Sequence, residues 1–174
     1  MRIENGILYG VRNEDLNADG SFIVPNSVTR IWWYAFYNCS ELKSVKIHNG
    51  IRFIGAGAFS GCHNLKSKPD NYKTFSVTET GKLVCMGKTY KVGKKSKVRG
   101  KLNLCKNGLH YCTNIFDIFT YRCGEYGKDF VIGVCEVSDE NVGDKVNSKR
   151  CARWVKPTKI LTKEEVIGIL NGTK

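Results

Sequence analysis

The sequence predicts an α+β fold in which a short repeat solenoid packs on a small mixed α+β domain. Two observations predict it: a 23-residue repeat within the first 68 residues, and a change to mixed strand and helix patterns after that point. We therefore expect two domains. Residues 1–68 form a cap and two full repeat units, and residues 69–174 form a basic α+β domain that ends in a helix. A turn-rich boundary at Lys68-Pro69-Asp70-Asn71 separates them.

The repeat consists of equivalent residues that lie 23 positions apart. Ala35-Phe36 recurs as Ala58-Phe59, and Cys39 recurs as Cys62. A fixed period of this size indicates stacked units that bury their apolar faces against each other. A cap and two units are fewer than the roughly three full units that a free-standing array usually needs. We therefore expect the C-terminal part to dock on the last unit.

The two units begin with V-P-N-S-V-T-R-I from Val24 and I-H-N-G-I-R-F-I from Ile47. Over residues 20–68 this pattern resembles the BspA-like leucine-rich repeats, and the resemblance implies a recognition surface rather than an active site. Trp32-Trp33 stands where these repeats usually have a glycine and a polar residue. The pair is either an exposed interface anchor or a hydrophobic contact with the neighbouring domain.

The C-terminal part has the patterns of short strands and two helices. One helix is predicted over Asn114–Tyr121, and another follows the capping box at Thr162–Glu165, with Gly172 as its C-cap. Strands are predicted at Thr74–Thr78, Lys82–Cys85, Thr89–Val92, Lys101–Cys105, Leu109–Cys112, Phe130–Val137 and Trp154–Leu161.

The chain is strongly basic, with a formal net charge of +12, and residues 69–174 hold 20 of its 28 basic residues. Between Glu79 and Asp117 there is no acidic residue. A field of one sign attracts polyanions, so we predict a nucleic-acid or acidic protein partner here; the alternative is a solvated basic loop. Tyr90 is the one aromatic residue between Lys82 and Lys106, which argues against a base-stacking platform. The basic residues are Lys82, Lys88, Lys91, Lys94, Lys95, Lys97, Arg99, Lys101 and Lys106.

The eight cysteines show no C-x-x-C pair, so reduced and buried thiols are expected. A zinc site from Cys105, His110 and Cys112 lacks the usual ligand-pair spacing. We therefore expect no metal and no cofactor. No apolar run reaches the length of a membrane span and no signal-peptide pattern opens the chain, so a location in the cytoplasm of a bacterial host cell is expected.

Residues 72–161 contain several short motifs of a second family. They are Cys85–Lys94, Cys105–Cys112, Asp117–Tyr121, Glu136-Val137 and Asn147-Ser148-Lys149. These motifs resemble an uncharacterised domain that is common in phage and prophage proteins. The resemblance implies a phage or prophage origin and brings no established activity.

A weaker resemblance is to ADP-ribosyltransferases of the poly-ADP-ribose polymerase type. Gly108 and Tyr121 have that family's spacing of 13 residues, and Glu136 falls in its G-E-V strand. The resemblance implies a ligand pocket of His110, Tyr111, Tyr121 and Glu136. Met86 stands where the family has its ribose-binding histidine, and residues 151–160 offer no late catalytic glutamate. His110 is either a general base or nucleotide contact, or a core histidine bonded to a backbone carbonyl.

From these observations we expect a non-enzymatic binding protein, phage- or prophage-encoded, that docks a host macromolecule through its basic stretch and its repeat face. The target would be nucleic acid or a nucleic-acid-guided defence nuclease, which would make the protein a counter-defence inhibitor. One alternative is an ADP-ribosyltransferase-like or NAD- or nucleotide-binding protein. The other is a structural phage protein.

Overall fold

The structure is a computed structural model that describes residues 1–67, 70–104, 107–122, 124–143 and 148–172. Within these residues short strands predominate, with two α-helices in the C-terminal half. The strands are β1 (Arg2–Glu4), β2 (Ile7–Gly10), β3 (Ser21–Ile23), β4 (Arg30–Ile31), β5 (Ser44–Lys46), β6 (Phe53–Ile54), β7 (Tyr72–Val77), β8 (Leu83–Cys85), β9 (Lys88–Tyr90), β10 (Ser96–Lys97), β11 (Leu109–Cys112), β12 (Gly124–Glu125), β13 (Val131–Val137), β14 (Asn141–Gly143), β15 (Lys149–Ala152) and β16 (Trp154–Ile160). The helices are α1 (Ile115–Tyr121) and α2 (Lys163–Leu170).

The repeat units stack with the register that the 23-residue period predicts. Strands β2, β4 and β6 are parallel and place Leu8, Ile31 and Ile54 side by side. On the opposite side of the units, β3 and β5 form a second parallel pair. The equivalent phenylalanines Phe36 and Phe59 are buried in the core of the units. Their rings stack with centroids 5.2 Å apart. The stacked core expected from the repeat is confirmed.

The C-terminal half is built on a larger sheet with the strand order β10-β16-β13-β7-β11-β15-β14. Strand β13 reads V-I-G-V-C-E-V and pairs antiparallel with β16 and β7. The hairpin β8–β9 extends from the end of β7. A second cluster of buried residues, including Phe75, Tyr111 and Val155, lies against this sheet.

The two halves share their main hydrophobic core. Strand β12 continues the repeat sheet by pairing antiparallel with β6. The ring of Phe59 from the last repeat unit contacts Phe116 of α1 at 5.2 Å and Phe119 at 6.2 Å. Helix α2 closes the same core, with Leu170 buried in it. The last repeat unit is therefore covered by the C-terminal half, as an array this short requires.

The predicted fold class, a solenoid on a small α+β domain, is wrong. Strands occupy 38% of the structure and helices 11%, so the fold is mainly β. The repeats do not make a closed solenoid, because their sheet runs on into β12 of the other half. The physical reason is that several strands contain only two to four residues. Such segments bury too few side chains to leave a periodic signal in the sequence.

Most of the longer predicted elements are present within a residue or two of their expected bounds. Strand β11 spans Leu109–Cys112 as predicted, and Thr162 and Glu165 form the expected capping box of α2. The strand predicted at Lys101–Cys105 is not formed: Asn103 makes one isolated bridge to Asn107, and Cys105 lies outside the described residues. Of the predicted boundary Lys68-Pro69-Asp70-Asn71, the first two residues also lie outside them.

Candidate functional site

The first candidate site is a cluster of aromatic side chains on the outer surface of the repeat sheet. The ring of Trp32 lies 5.7 Å from Tyr9 of the cap and 6.0 Å from Phe53 of the second unit. It also stacks on Trp33 at 5.5 Å with an interplanar angle of 18°. Tyr34 lines the same surface pocket as Tyr9, and its ring lies 5.6 Å from that of Tyr37. We call this surface the aromatic face; it comprises Tyr9, Trp32, Trp33, Tyr34, Tyr37 and Phe53.

Three of these aromatic side chains remain largely open to solvent. Trp33 is 51% exposed, Tyr34 59% and Tyr37 55%. Of the two interpretations of the tryptophan pair, the exposed anchor fits Trp33. Trp32 is partly buried among its aromatic neighbours in the repeat itself.

Glycines of the second unit make room for the aromatic residues of the first. A Cβ at Gly55 would lie 2.3 Å from Cδ1 of Trp33 and 2.5 Å from its backbone nitrogen. A Cβ at Gly57 would lie 2.3 Å from Cε1 of Tyr34. Tyr34 itself has a left-handed φ of 57°, at the position where the next unit has Gly57. A bulky residue rarely adopts this conformation, so local packing must hold the ring in place.

Two arginines lie over the aromatic face. The guanidinium of Arg2 is 4.6 Å from the centre of the Tyr9 ring. Arg30 lies between Trp32 at 5.9 Å and Phe53 at 4.8 Å. Arg2 also forms an exposed ion pair with Glu4, at 3.0 Å. Tryptophan, tyrosine and arginine are the residues that most often carry the binding energy of protein interfaces.

The second candidate site is the basic stretch, whose described members all lie at the surface. We call the exposed side chains of Lys82, Lys88, Lys91, Lys94, Lys95, Lys97, Arg99 and Lys101 the basic surface. Among the described residues none of the eight forms an ion pair. Lys95 lies over the Trp154 ring at 3.9 Å. Lys106 lies outside the described residues.

The third candidate site is a cavity of about 240 Å³ in the C-terminal half. His110, Tyr111 and Tyr121, three of the four residues of the predicted ligand pocket, line it together. Glu136 does not line it, because its carboxylate pairs with Lys156 of β16 at 2.8 Å. The pocket therefore lacks the carboxylate that the sequence placed there.

Electrostatics in this cavity are set by burial and by lysines. Burial lowers the pKa of His110 from 6.5 to about 4, and the charges of Lys149 and Lys73 act in the same direction. His110 is therefore neutral near pH 7. Burial raises the pKa of the Cys112 thiol to about 12, so it stays protonated. In the part of the chain that the structure describes, no three His, Cys, Asp or Glu side chains are placed to hold a metal ion.

Lys73 is a site residue that sequence reasoning missed. It lies in β7 and is only 3% exposed. Its ammonium donates hydrogen bonds to the carbonyl oxygen of His110 at 2.7 Å and to Sγ of Cys85 at 3.5 Å. A lysine within a short strand looks like an ordinary surface residue, so no sequence signal marks it.

The described helices include none that is long and apolar enough to span a bilayer.

Comparison with known families finds two matches. Residues 17–79 match the family described as BspA type Leucine rich repeat region (6 copies). Residues 70–169 match the family described as Domain of unknown function (DUF7666). Comparisons with curated proteins and with solved structures gave no match. Neither family description mentions a phage, a counter-defence activity or an ADP-ribosyltransferase, so those expectations stay predictions.

The repeat region indicates a role in protein interaction. The second match covers 100 residues (70 to 169), which is more than half of the 174-residue chain. The chain therefore belongs to the DUF7666 family and carries a BspA-type leucine-rich repeat region at its N-terminal side.

Proposed function

We propose that this protein is a non-enzymatic binding module that docks a partner protein on its aromatic face. The observation that carries the proposal is the exposure of Trp33, Tyr34 and Tyr37 next to one another. Large exposed apolar patches with polar rims mark interaction sites in soluble proteins. Trp33 is already stacked on Trp32, and Tyr34 packs edge-to-face against Tyr37, so little conformational entropy is lost when a partner covers them.

The partner is expected to present carboxylates around an apolar surface. Arg30 lies over Trp32 and Phe53 and forms no ion pair with any carboxylate of the described chain. A partner carboxylate can approach the guanidinium while the rings beneath it stay in place. Such charge-assisted hydrogen bonds add specificity to the apolar contact.

The test compares Trp33→Ala with Ile23→Ala. Ile23 is 59% exposed and lies on the second repeat sheet. Its substitution by alanine also removes exposed apolar surface, but at a position away from the aromatic face. Proteins captured by the wild-type chain would be purified and their Kd values measured against both variants. Loss of a hot-spot tryptophan typically costs at least ~2 kcal/mol, or about 30-fold in Kd. If every captured protein binds both variants as well as wild type, the aromatic face is not the docking site.

A second candidate function is polyanion binding at the basic surface, and its eight exposed cations without ion pairs favour it. Such binding releases counterions, so its affinity must fall steeply as salt rises. The further identification of the partner as a host nucleic acid or defence nuclease rests on the phage-type resemblance alone and stays a prediction.

Fluorescence anisotropy with labelled single- and double-stranded DNA and RNA tests this second function. The charge reversal Lys94→Glu with Lys97→Glu would be compared with Lys43→Glu and Lys46→Glu, which remove the same charge from exposed positions in the repeat. We expect the first pair alone to abolish binding and to flatten the salt dependence. Equal losses from both pairs would indicate nonspecific attraction by the net charge of the chain.

A further inference from the structure

The main sheet opens between two of its neighbouring strands. Strands β7 and β11 pair at one position, where Tyr72 lies opposite Cys112. Towards its other end β7 pairs instead with β8, at Ser76 and Val77. The strands thus leave a cleft between them. The cavity of about 240 Å³ and a second one of about 150 Å³ lie here, and both are lined by Lys73, Cys85, Met86 and His110.

Lys73 spans this cleft from one strand to the other. Its side chain starts from β7 and its ammonium donates to the carbonyl oxygen of His110 in β11. The ammonium also lies 5.1 Å from the Tyr90 ring and 5.8 Å from the Phe75 ring. Its partners are a carbonyl, a thiol and two rings, and none is a carboxylate among the described residues.

A buried ammonium without a counterion is costly, because burial removes its hydration. Lys73 is the one buried charged side chain in the described chain. An ammonium has three protons to donate, and two of them have partners in this structure. Lys73 lines both cavities, so its ammonium is within reach of an acceptor that enters either one.

The other charged side chains that line the two cavities are also positive. Lys88 lines the smaller cavity, and Arg122 and Lys149 line the larger one. Among the described residues, no aspartate or glutamate lines either cavity. Burial is the main cause of the lowered pKa of His110, and the positive charges of Lys149 and Lys73 act in the same direction. A cleft of one sign with low-dielectric walls concentrates ligands of the opposite sign.

The larger cavity also offers flat apolar surface. Tyr72, Tyr111 and Tyr121 line it, together with Met86 at the tip of the β8–β9 hairpin. The side chain of Met86 is 77% exposed, so a thioether stands at the mouth of the cleft. Aromatic rings and a flexible thioether suit a planar ring in a ligand.

We propose that the cleft between β7 and β11 binds a small molecule that carries a phosphate group and a planar ring. The phosphate accepts hydrogen bonds from Lys73, and the ring lies among the tyrosines near Met86. This site is separate from the aromatic face and from its partner protein, so the two proposals succeed or fail independently.

Isothermal titration calorimetry and amide NMR spectra of the full chain test the proposal. The probes are AMP, GMP, CMP and UMP, with ribose 5-phosphate and inorganic pyrophosphate as ligands without a ring and adenosine as a ligand without phosphate. We expect at least one mononucleotide to bind saturably, more tightly than ribose 5-phosphate or pyrophosphate, and to shift the amide signals of Thr74 and Tyr111. Adenosine should not bind.

The deciding variant is Lys73→Met, which keeps the length of the side chain and removes its charge. Loss of a hydrogen bond to a charged group predicts binding about 10- to 100-fold weaker. Lys156→Met is the matched control: Lys156 lies in β16 of the same sheet and pairs with Glu136 away from the cleft. It should leave the Kd unchanged, and so should the charge reversal of Lys94 and Lys97 on the basic surface.

Two further results complete the test. If Lys73→Met does not fold, Lys149→Gln replaces it, because Lys149 lies over Tyr121 at the larger cavity and its loss should also weaken binding. The proposal is overturned if no phosphate-bearing probe binds saturably, or if binding is as tight in the Lys73 or Lys149 variant as in wild type. Equal binding of pyrophosphate and the mononucleotides would overturn the assignment of a planar ring.

Discussion

At the scale of single residues, the two glycines of the second repeat unit decide where the aromatic side chains of the first unit lie. Gly55 and Gly57 leave open the space that Trp33 and Tyr34 occupy. Because these glycines have no Cβ, the rings of the first unit pack directly against the backbone of the second unit. The aromatic face therefore depends on small residues that contribute no contact area of their own.

We expect Gly55→Ala to destabilise the protein by about 1–3 kcal/mol, the usual cost of overpacking. The new Cβ would meet backbone atoms of Trp32 and Trp33 below 3 Å, so the tryptophans cannot move aside without the chain moving too. Urea unfolding followed by tryptophan fluorescence measures the change. Gly10→Ala is the control, since a Cβ there has nothing within 4 Å. A Gly55→Ala variant as stable as the Gly10→Ala variant would contradict the packing described here.

His110 gives the protein a pH-dependent stability. Its pKa is about 4 in the folded state against 6.5 as the reference value, so between these values the unfolded chain binds the extra proton. The free energy of unfolding is therefore expected to fall as pH drops from about 6.5 towards 4. Glu140 and Glu165 have pKa values lowered from 4.5, so their contributions are lost only at lower pH.

The measurement is urea unfolding at pH 7.0 and pH 5.0 for wild type and for His110→Gln. The glutamine variant should lose less stability over this interval, because it has no imidazole to protonate. An identical loss in both proteins would show that His110 does not carry the effect.

At the scale of elements, helix α2 attaches to the repeat through its C-cap residue, Asn171. The Asn171 side chain accepts a hydrogen bond from the backbone nitrogen of Ile47 at 2.7 Å and donates one to its carbonyl oxygen at 2.9 Å. Lys163, at the start of the helix, donates to the carbonyl oxygen of Asn49 at 2.8 Å. Both ends of a short helix are thus bonded to the loop after β5.

We expect Asn171→Ala to lower the free energy of unfolding by about 1–3 kcal/mol, since it leaves two backbone groups of Ile47 without partners. Asn141→Ala is the control, because the exposed Asn141 side chain donates one local hydrogen bond, to the Asp139 carbonyl. Chemical denaturation of both variants measures the difference. Equal and small effects would mean that the apolar face of α2 alone holds the helix in place.

At the scale of the whole molecule, the shared core predicts one cooperative unfolding transition for both sequence halves. Phe59 contacts Phe36 within the repeat and Phe116 and Phe119 in α1. Truncating a buried phenylalanine typically costs about 3–5 kcal/mol. We expect Phe59→Ala to lower the melting temperature of the entire protein.

Differential scanning calorimetry of the full chain checks this expectation. A single transition, with equal calorimetric and van 't Hoff enthalpies, indicates one unit. Ile23→Ala, on the exposed side of β3, should leave the melting temperature close to that of wild type. Two resolved transitions, of which Phe59→Ala moves only one, would support the independent domains that the sequence suggests.

Several features of this protein follow from its sequence alone. The 23-residue period determines the register of β2, β4 and β6, because equivalent side chains must stack for each unit to bury its apolar face. Strand β11, helix α1 and the capping box of α2 follow from local patterns that involve neighbouring residues. The positive charge of the basic surface and the presence of two neighbouring tryptophans are given by the amino-acid composition, which does not depend on folding.

Other features were decided only by the tertiary structure. The pairing of β12 with β6, the splaying of β7 from β11 and the burial of Lys73 all bring together residues far apart in the chain. Two-residue strands have no periodicity to detect, and a lysine in a strand is hidden or exposed according to what packs above it. Glu136 was expected in the cleft from its motif, but its position in β13 faces Lys156 of β16 instead. Long-range packing determines such placements, so they could not be predicted from the local pattern of residues.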